Sequence, residues 1–151
     1  MAGHVLEVQN VTKRYGSAKR GDELATLGLA GVSFFVDEGE FVGIMGPSGS
    51  GKSTLLNCIS TIDVVTSGSI RVAGRDITTL SSKELSRFRR DELGFVFQDS
   101  NLLDTLTVRE NIALALTIQK APSREIPARV EDMASRLSIA EVLDKYPYQI
   151  S

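Results

Sequence analysis

Residues 46–53 read Gly-Pro-Ser-Gly-Ser-Gly-Lys-Ser, which matches the Walker A phosphate-binding pattern at every fixed position. The glycines leave room for the backbone to curl around a phosphate group, with the amides of residues 49–54 pointing inward. Lys52 can then reach the β- and γ-phosphate oxygens, and the Ser53 hydroxyl is placed to bind Mg²⁺. The competing interpretation is a glycine-rich turn that only happens to end in Lys-Ser.

The candidate phosphate-binding residues are Gly46, Ser48, Gly49, Ser50, Gly51, Lys52, Ser53 and Thr54. Thr54 either joins the phosphate contacts or only begins the helix that follows. Such a loop needs a strand before it and a helix after it, because the helix N-terminus adds positive potential. The apolar run Phe41–Met45 predicts that strand, and apolar residues at helical spacing predict a helix over 53–62.

Three further strands are predicted, over Val5–Tyr15, Ser69–Ala73 and Leu93–Phe97. Residues 16–31 carry four glycines among small and charged residues, which predicts an exposed loop. The apolar runs Val32–Val36 and Phe41–Met45 flank a turn composition and predict a hairpin or a tight change of direction.

Asp37 and Glu38 follow an apolar run and so imitate a Walker B strand, which would supply catalytic acids. They lie upstream of the phosphate loop, at the turn that feeds the predicted strand Phe41–Met45. At about 3.3 Å per residue, that strand would carry the acids roughly 15 Å or more from the phosphates. A turn is therefore the better interpretation.

The last third of the chain is predicted to be almost purely helical. Ser81 with Glu84, and Thr107 with Glu110, have the spacing of capping boxes that open helices to about Glu92 and Gln119. A third helix is indicated by an apolar stripe made of Val130, Met133, Ala134 and Leu137.

Composition narrows the class of protein. A chain of 151 residues, 42% hydrophobic and 24% charged, is typical of a globular domain. The single cysteine, Cys58, excludes an intramolecular disulfide, and no apolar stretch approaches the roughly 20 residues of a membrane span. A net charge of −2 argues against nucleic acid as a partner, so any membrane role would come through another protein.

Beyond the phosphate loop, the sequence resembles the nucleotide-binding domain of ATP-binding cassette (ABC) transporters over nearly its whole length. The resemblance rests on the segments Val8–Gly16, Gly46–Thr54, Gly94–Gln98, Thr107–Ile112 and Tyr146–Ser151. These segments look like the family's opening strand, its Walker A loop, its Q-loop, the start of its helical subdomain and the approach to its signature motif.

The resemblance implies roles for two further residues. Tyr15 corresponds to the aromatic residue that stacks on adenine, although it could simply be a half-buried tyrosine at a strand end. Gln98 corresponds to the Q-loop glutamine, whose amide can contact Mg²⁺ and orient water; the alternative is an ordinary polar residue. The implied catalytic residues are Gln98 and Lys52, and the implied metal ligands are Ser53 and Gln98.

The implied fold class is α/β, a P-loop NTPase of the ABC type. Residues 1–98 would form a β-rich subdomain with the N-terminal part of the P-loop core, and residues 99–151 an incomplete helical subdomain. We expect the fold to be truncated before the signature motif and the Walker B strand, which would leave apolar edges such as Phe95–Phe97 unpaired. The chain alone is then expected to lack ATP turnover.

The function implied by the resemblance is that of an ATP-binding subunit that binds ATP and Mg²⁺ to power transport. It would act as a homodimer in the cytoplasm, at the inner face of the membrane, through a membrane-spanning permease. The loop after Tyr15 and the run 97–108 look most like the group serving antimicrobial-peptide resistance, macrolide export and lipoprotein release. The alternatives are a nucleotide-binding module without turnover and a non-transport ABC ATPase of the cell-division type.

Overall fold

The structure is a computed structural model that describes residues 4–16, 26–97 and 101–150. The chain divides into two compact units, Met1–Arg89 and Arg90–Ser151. The predicted subdomain boundary between residues 98 and 99 lies outside the described residues and stays a prediction.

The first unit is built on a four-stranded antiparallel sheet in the order β2-β1-β3-β4. The strands are β1 (Leu6–Tyr15), β2 (Thr26–Val36), β3 (Ser67–Val72) and β4 (Arg75–Asp76). Strand β1 is central, and its Val8 and Val11 are only 2% and 0% exposed. Two β-branched side chains on the pleated surface thus anchor the core, together with Leu29 and Ile70 from the neighbouring strands.

The pairing of β1 with β2 determines which residues meet at the end of the sheet. It runs from Leu6 opposite Val36 to Tyr15 opposite Thr26. The prediction of a loop over 16–31 is therefore wrong for residues 26–31, which belong to β2. Glycines lowered the strand signal there, but the long antiparallel ladder to β1 satisfies the backbone N–H and C=O groups of this stretch.

Helix α1 (Lys52–Ile59) follows the phosphate loop and confirms the predicted helix, although it ends three residues early. Its Leu55 and Cys58 are buried. Ser69–Ala73 is confirmed as a strand with slightly shifted bounds, β3. A helix α2 (Ser82–Glu92) follows, and the Ser81 backbone N–H donates to Glu84 Oε2 at 2.9 Å, as the predicted capping box requires.

Two predicted strands are wrong. Neither Phe41–Met45 nor Leu93–Phe97 is assigned as a strand, so Val32–Val36 pairs with β1 and not in a hairpin with Phe41–Met45. Phe41 and Val96 are 99% and 102% exposed. A strand needs a neighbour that accepts and donates its ladder hydrogen bonds, and no described strand pairs with these two segments. The predicted turn between β2 and Phe41–Met45 is confirmed, since the Glu40 N–H donates to Asp37 O at 3.2 Å.

The second unit contains α3 (Val108–Ile118) and α4 (Ile126–Arg136), followed by short 3₁₀ turns at Ala140–Val142 and Pro147–Gln149. The capping box of Thr107 and Glu110 opens α3 as predicted. The core of this unit consists of Val108, Val130, Ala134 and Leu143. Two residues of the predicted apolar stripe, Val130 and Ala134, are therefore confirmed as buried. The other two, Met133 and Leu137, are 46% and 62% exposed.

Among the described residues, no helix is both long enough and apolar enough to cross a lipid bilayer.

Candidate functional site

A cavity of about 290 Å³ joins the phosphate loop to the ends of β1 and β2. Its lining residues are Tyr15, Thr26, Leu27, Gly28, Ser48, Gly49, Gly51, Lys52, Ser53 and Thr54. Most of the predicted nucleotide-binding residues thus come together around one space. Gly46 and Ser50 are not among the lining residues, and a Cβ at Gly46 would lie 2.7 Å from Ser50 Oγ.

The conformation of Gly51 turns the chain from the loop into α1. Its φ is +91°, and a Cβ at this position would lie 2.5 Å from the carbonyl oxygen of Gly28. Only glycine combines this left-handed conformation with so close an approach of β2. The tight contact sets the first turn of α1 directly against the strand that also lines the cavity.

The N-terminus of α1 has no side-chain cap. The first amide of the helix to find a backbone acceptor is Leu55, whose N–H donates to Gly51 O at 2.8 Å. The amides of Lys52, Ser53 and Thr54 therefore have no intrahelical acceptor, as in any first helical turn. Free amides and the positive end of the helix dipole make this end of the cavity attractive to an anion.

Lys52 adds a full positive charge beside these amides. Its ammonium donates hydrogen bonds to the carbonyl oxygens of Gly46 and Pro47, both at 2.8 Å. The backbone N–H of Ser50 donates to the same Pro47 oxygen at 3.2 Å, which closes the loop. The loop thus holds the Lys52 charge against the cavity and leaves a third N–H of the ammonium for a phosphate oxygen.

The residues present fit a magnesium ion that is bound together with phosphate. Ser53 is exposed at the cavity, and within the described ranges its hydroxyl makes no hydrogen bond to protein. No cluster of three or more His, Cys, Asp or Glu residues in the described part of the chain could hold a metal alone. Mg²⁺ is commonly held by few protein oxygens together with substrate phosphates and water, which suits one free hydroxyl. Gln98 lies outside the described residues, so its predicted role is untested.

Tyr15 also lines the cavity, with 41% of its surface exposed. Its hydroxyl donates to Asp63 Oδ2 at 2.8 Å. The Lys13 ammonium donates to Asp63 Oδ1 at 2.5 Å and to Val64 O at 2.6 Å, and it stands 4.9 Å from the centre of the Tyr15 ring. An exposed aromatic ring with a fixed hydroxyl is what a stacking surface for a flat base requires.

Charge in this cluster shifts two pKa values in opposite directions. The hydrogen bond from Lys13 holds the pKa of Asp63 below its ordinary value, and the bond from Tyr15 acts in the same direction. The hydrogen bond to Asp63 raises the pKa of Lys13.

Cys58 is 3% exposed, and burial raises the pKa of its thiol, which makes it a small packing residue and not a nucleophile.

Sequence reasoning missed Gly28, Lys13 and Asp63. A Cβ at Gly28 would lie 2.9 Å from Tyr15 Cε2 and 3.2 Å from Thr54 Cγ2, so only glycine lets β2 pass this closely. Asp63 meets Tyr15 across 48 residues of sequence. The one local signal was a charged residue between Ile62 and Val64, which does not identify a partner so distant in the chain.

The acid pair Asp37 and Glu38 is absent from the residues that line this cavity. Asp37 Oδ1 lies 2.5 Å from His4 Nδ1, and the His4 ring lies 4.0 Å from the ring of Phe35. These contacts stabilise the turn after β2, in agreement with the rejection of a Walker B strand at this position.

Known proteins resemble this chain in sequence over most of its length. The family model described as ABC transporter matches residues 29–151. The chain is 48% identical over 147 residues to the bacitracin export ATP-binding protein of Halalkalibacterium halodurans, covering 97% of this chain and 56% of that protein. It is 42% identical to the macrolide export ATP-binding/permease protein of Marinobacter nauticus, covering 97% of this chain and 22% of that protein.

A solved structure has the same fold. It is a dimeric ATP-binding cassette in a post-hydrolysis state, bound to ADP and Pi, with a TM-score of 0.85 and 36% sequence identity. The match covers 97% of this chain and 63% of that one. The present chain spans about half the length of the bacitracin export protein that it matches. The phosphate loop, the sheet that flanks it and these matches together show that the chain belongs to the ABC transporter family, as an ATP-binding domain with the P-loop NTPase fold.

Proposed function

We propose that the cavity binds ATP with Mg²⁺. One observation carries the proposal: the uncapped N-terminus of α1 and the Lys52 ammonium face the same space as the exposed ring of Tyr15. A triphosphate needs concentrated positive potential, and a purine needs a flat apolar surface. Both are available around a single cavity: residues 46–54 form what we call its phosphate end, and Tyr15 with the residues that hold its ring forms what we call its base end.

Each predicted site residue has a role in this proposal. The phosphate groups are bound by Gly46, Ser48, Gly49, Ser50, Gly51, Lys52, Ser53 and Thr54. Tyr15 stacks on the adenine base. Ser53 and Gln98 bind Mg²⁺, and Lys52 and Gln98 take part in hydrolysis in the whole protein. When bound, Mg²⁺ neutralises phosphate charge.

The proposal for the whole protein is an ATP-binding subunit that powers transport. It would work as a dimer of nucleotide-binding domains on a membrane-spanning permease, at the cytoplasmic face of the membrane. The similarity to a macrolide export protein that carries both activities in one chain, and to a dimeric cassette, supports this arrangement. The similarity to a bacitracin export protein supports export of a peptide or drug.

The permease would contact the groove near Gln98 and the segment Asp99–Val108, which the structure describes from residue 101 onward. Leu102 and Leu103 are 38% and 49% exposed there. Asn111 holds this segment in place, since its Nδ2 donates to the carbonyl oxygens of Leu103 and Leu106 at 3.1 Å. The Leu103 N–H in turn donates to Asn111 Oδ1 at 2.9 Å. A fixed pair of exposed leucines is well suited to packing against an apolar partner.

The central test replaces the lysine of the loop. We expect Lys52→Ala to weaken ATP binding by at least about 100-fold, because charged hydrogen bonds to phosphate in a partly enclosed site are among the strongest. Calorimetric titration with ATP and Mg²⁺ measures the affinity. The matched control is Lys83→Ala on the exposed surface of α2, which should bind ATP as the wild type does.

The same two variants test transport in cells. A strain that depends on the protein for resistance to an exported peptide or drug should become sensitive with Lys52→Ala and remain resistant with Lys83→Ala. Unchanged ATP affinity of Lys52→Ala would contradict the proposed nucleotide site. Lost ATP binding with full resistance would contradict the proposed role in export.

A further inference from the structure

Asp63 does not line the cavity, but it contacts Tyr15, which does, and it connects three separate groups. Its Oδ2 accepts the Tyr15 hydroxyl at 2.8 Å, and its Oδ1 accepts the Lys13 ammonium at 2.5 Å and the Val64 N–H at 2.7 Å. Both carboxylate oxygens are therefore occupied by protein donors. The carboxylate is a structural acceptor here and points to the end of the tyrosine ring.

The cluster is shielded enough for its geometry to matter. The side chains of Lys13 and Asp63 are 11% and 27% exposed. Charged hydrogen bonds that are partly removed from water are stronger and more directional than exposed ones. Lys13 is also held by the carbonyl oxygen of Val64, so neither partner of the ion pair is free to rotate away.

The orientation of the Tyr15 ring follows from these contacts. The hydroxyl is anchored on Asp63, the Lys13 ammonium stands over the ring 4.9 Å from its centre, and the Cε2 edge lies against Gly28. Because the Lys13 ammonium stands over the ring on one face, a base would stack on the opposite face of this 41% exposed side chain. A tyrosine without these contacts would sample other rotamers, and a base would have to pay that ordering entropy on binding.

We propose that Asp63, through its ion pair with Lys13, is a positioning residue that fixes the Tyr15 ring as the stacking surface for the base of the nucleotide. This inference rests on the proposed function of the cavity as a nucleotide site. On this proposal, residues outside the phosphate loop make the site prefer a nucleotide to a polyphosphate chain that has no base.

The test compares two ligands that share phosphates and differ in the base. Inorganic tripolyphosphate binds the phosphate end alone, whereas ATP uses both ends. We expect Asp63→Ala to weaken ATP binding about fivefold to tenfold, because a base that stacks on a ring no longer held in place recovers only part of the stacking free energy. Tripolyphosphate affinity should change less than about twofold, because the amides of α1 and Lys52 are untouched.

Two controls separate positioning from folding. Asp37→Ala removes an exposed carboxylate of the same unit and should leave both affinities unchanged. If Asp63→Ala does not fold, as judged by circular dichroism, Asp63→Asn keeps the shape, removes the charge that binds Lys13 and should show a smaller loss for ATP alone.

A double-mutant cycle with Tyr15→Phe identifies the path of the effect. The phenylalanine keeps the ring and removes the hydroxyl that Asp63 accepts. We expect Asp63→Ala to cost less ATP affinity in the Tyr15→Phe background than in the wild type, because the hydrogen bond from the Tyr15 hydroxyl that it removes is already absent there. A full additive loss would overturn the proposal, since Asp63 would then act without the tyrosine.

The other possible results of the comparison between ATP and tripolyphosphate also test the proposal. Equal losses for ATP and tripolyphosphate in Asp63→Ala would overturn the proposal, because Asp63 would then only support the fold of the site. If tripolyphosphate binding does not respond to Lys52→Ala, the nucleotide site itself is wrong. A normal response to Lys52→Ala with no effect of Asp63→Ala or Asp63→Asn overturns the inference about Asp63 alone.

Discussion

The two ends of the cavity are built from different parts of the chain. The phosphate end uses backbone amides and one ammonium from nine consecutive residues, 46–54. The base end uses side chains of Lys13, Tyr15 and Asp63, with Gly28 against the ring. The phosphate end comes from one local segment, which packs against β2 at Gly28, whereas the base end exists only when β1, β2 and the segment after α1 come together.

This difference has a physical consequence. Amides of a helix N-terminus are held by the helix itself and do not titrate, so the phosphate end depends on backbone conformation. The base end depends on an ion pair and a hydroxyl bond, so it responds to charge and to side-chain packing. Substitutions that alter backbone conformation should therefore weaken ligand binding at the phosphate end. Substitutions of side chains should change the strength of binding at the base end.

The largest effect is expected for Gly51→Ala. A Cβ there meets the Gly28 carbonyl at 2.5 Å with φ at +91°, so the first turn of α1 must move. We expect a loss of about 3 kcal/mol or more in the free energy of unfolding, from left-handed strain together with overpacking. Urea denaturation measures the stability, and calorimetry should find ATP and tripolyphosphate binding lost together.

Gly39→Ala is the matched control for that change. Gly39 has a similar φ of +77°, but a Cβ at this position meets nothing within 4 Å. It should cost only the left-handed strain, roughly 1–2 kcal/mol, and leave ligand binding unchanged. Equal effects of the two variants would mean that the contact between Gly51 and β2 does not shape the phosphate end.

A smaller and more selective effect is expected for Gly28→Ala. The added Cβ would lie 2.9 Å from Tyr15 Cε2, so the ring must tilt away from its position. We expect ATP affinity to fall about threefold to tenfold, because stacking on a displaced ring recovers only part of its free energy. The same Cβ would lie 3.2 Å from Thr54 Cγ2, so we expect tripolyphosphate affinity, measured by calorimetry, to fall as well but by less than ATP affinity. An equal loss of affinity for ATP and for tripolyphosphate would contradict the division of the cavity into a phosphate end and a base end.

The smallest effect is expected from pH acting on the base end. The folded-state pKa of Asp63 lies below its ordinary value of 3.8, so its ion pair stabilises the fold above that value and is lost as the pH falls through the folded-state pKa. The raised pKa of Lys13 means that its side of the pair is lost only above 10.5. We therefore expect the stability difference between wild type and Asp63→Asn to be constant from about pH 5 to 7 and to shrink at lower pH.

Urea denaturation at a series of pH values measures that difference. A gap between the two proteins that stays constant down to about pH 3 would show that Asp63 is not held in its charged form by Lys13.

Local patterns in the sequence predicted local structures well. The capping box at Thr107 and Glu110, the helix after the phosphate loop and the turn at Asp37–Glu40 are all confirmed, because each depends on residues within a few positions of one another. Strands were predicted less well. Phe41–Met45 has a strand-like composition, but a strand also requires a paired neighbour, which no local pattern can supply.

The candidate site follows the same division. The sequence by itself predicted the phosphate end, since the spacing of its glycines, Lys52 and Ser53 is typical of a phosphate-binding loop that leads into a helix. Only the tertiary structure decided the base end. Asp63 and Tyr15 are 48 positions apart, and Gly28 reaches the ring only because β2 pairs with β1. Contacts between side chains distant in sequence depend on the packing of whole elements, which is why the positioning of Tyr15 became visible only in the folded chain.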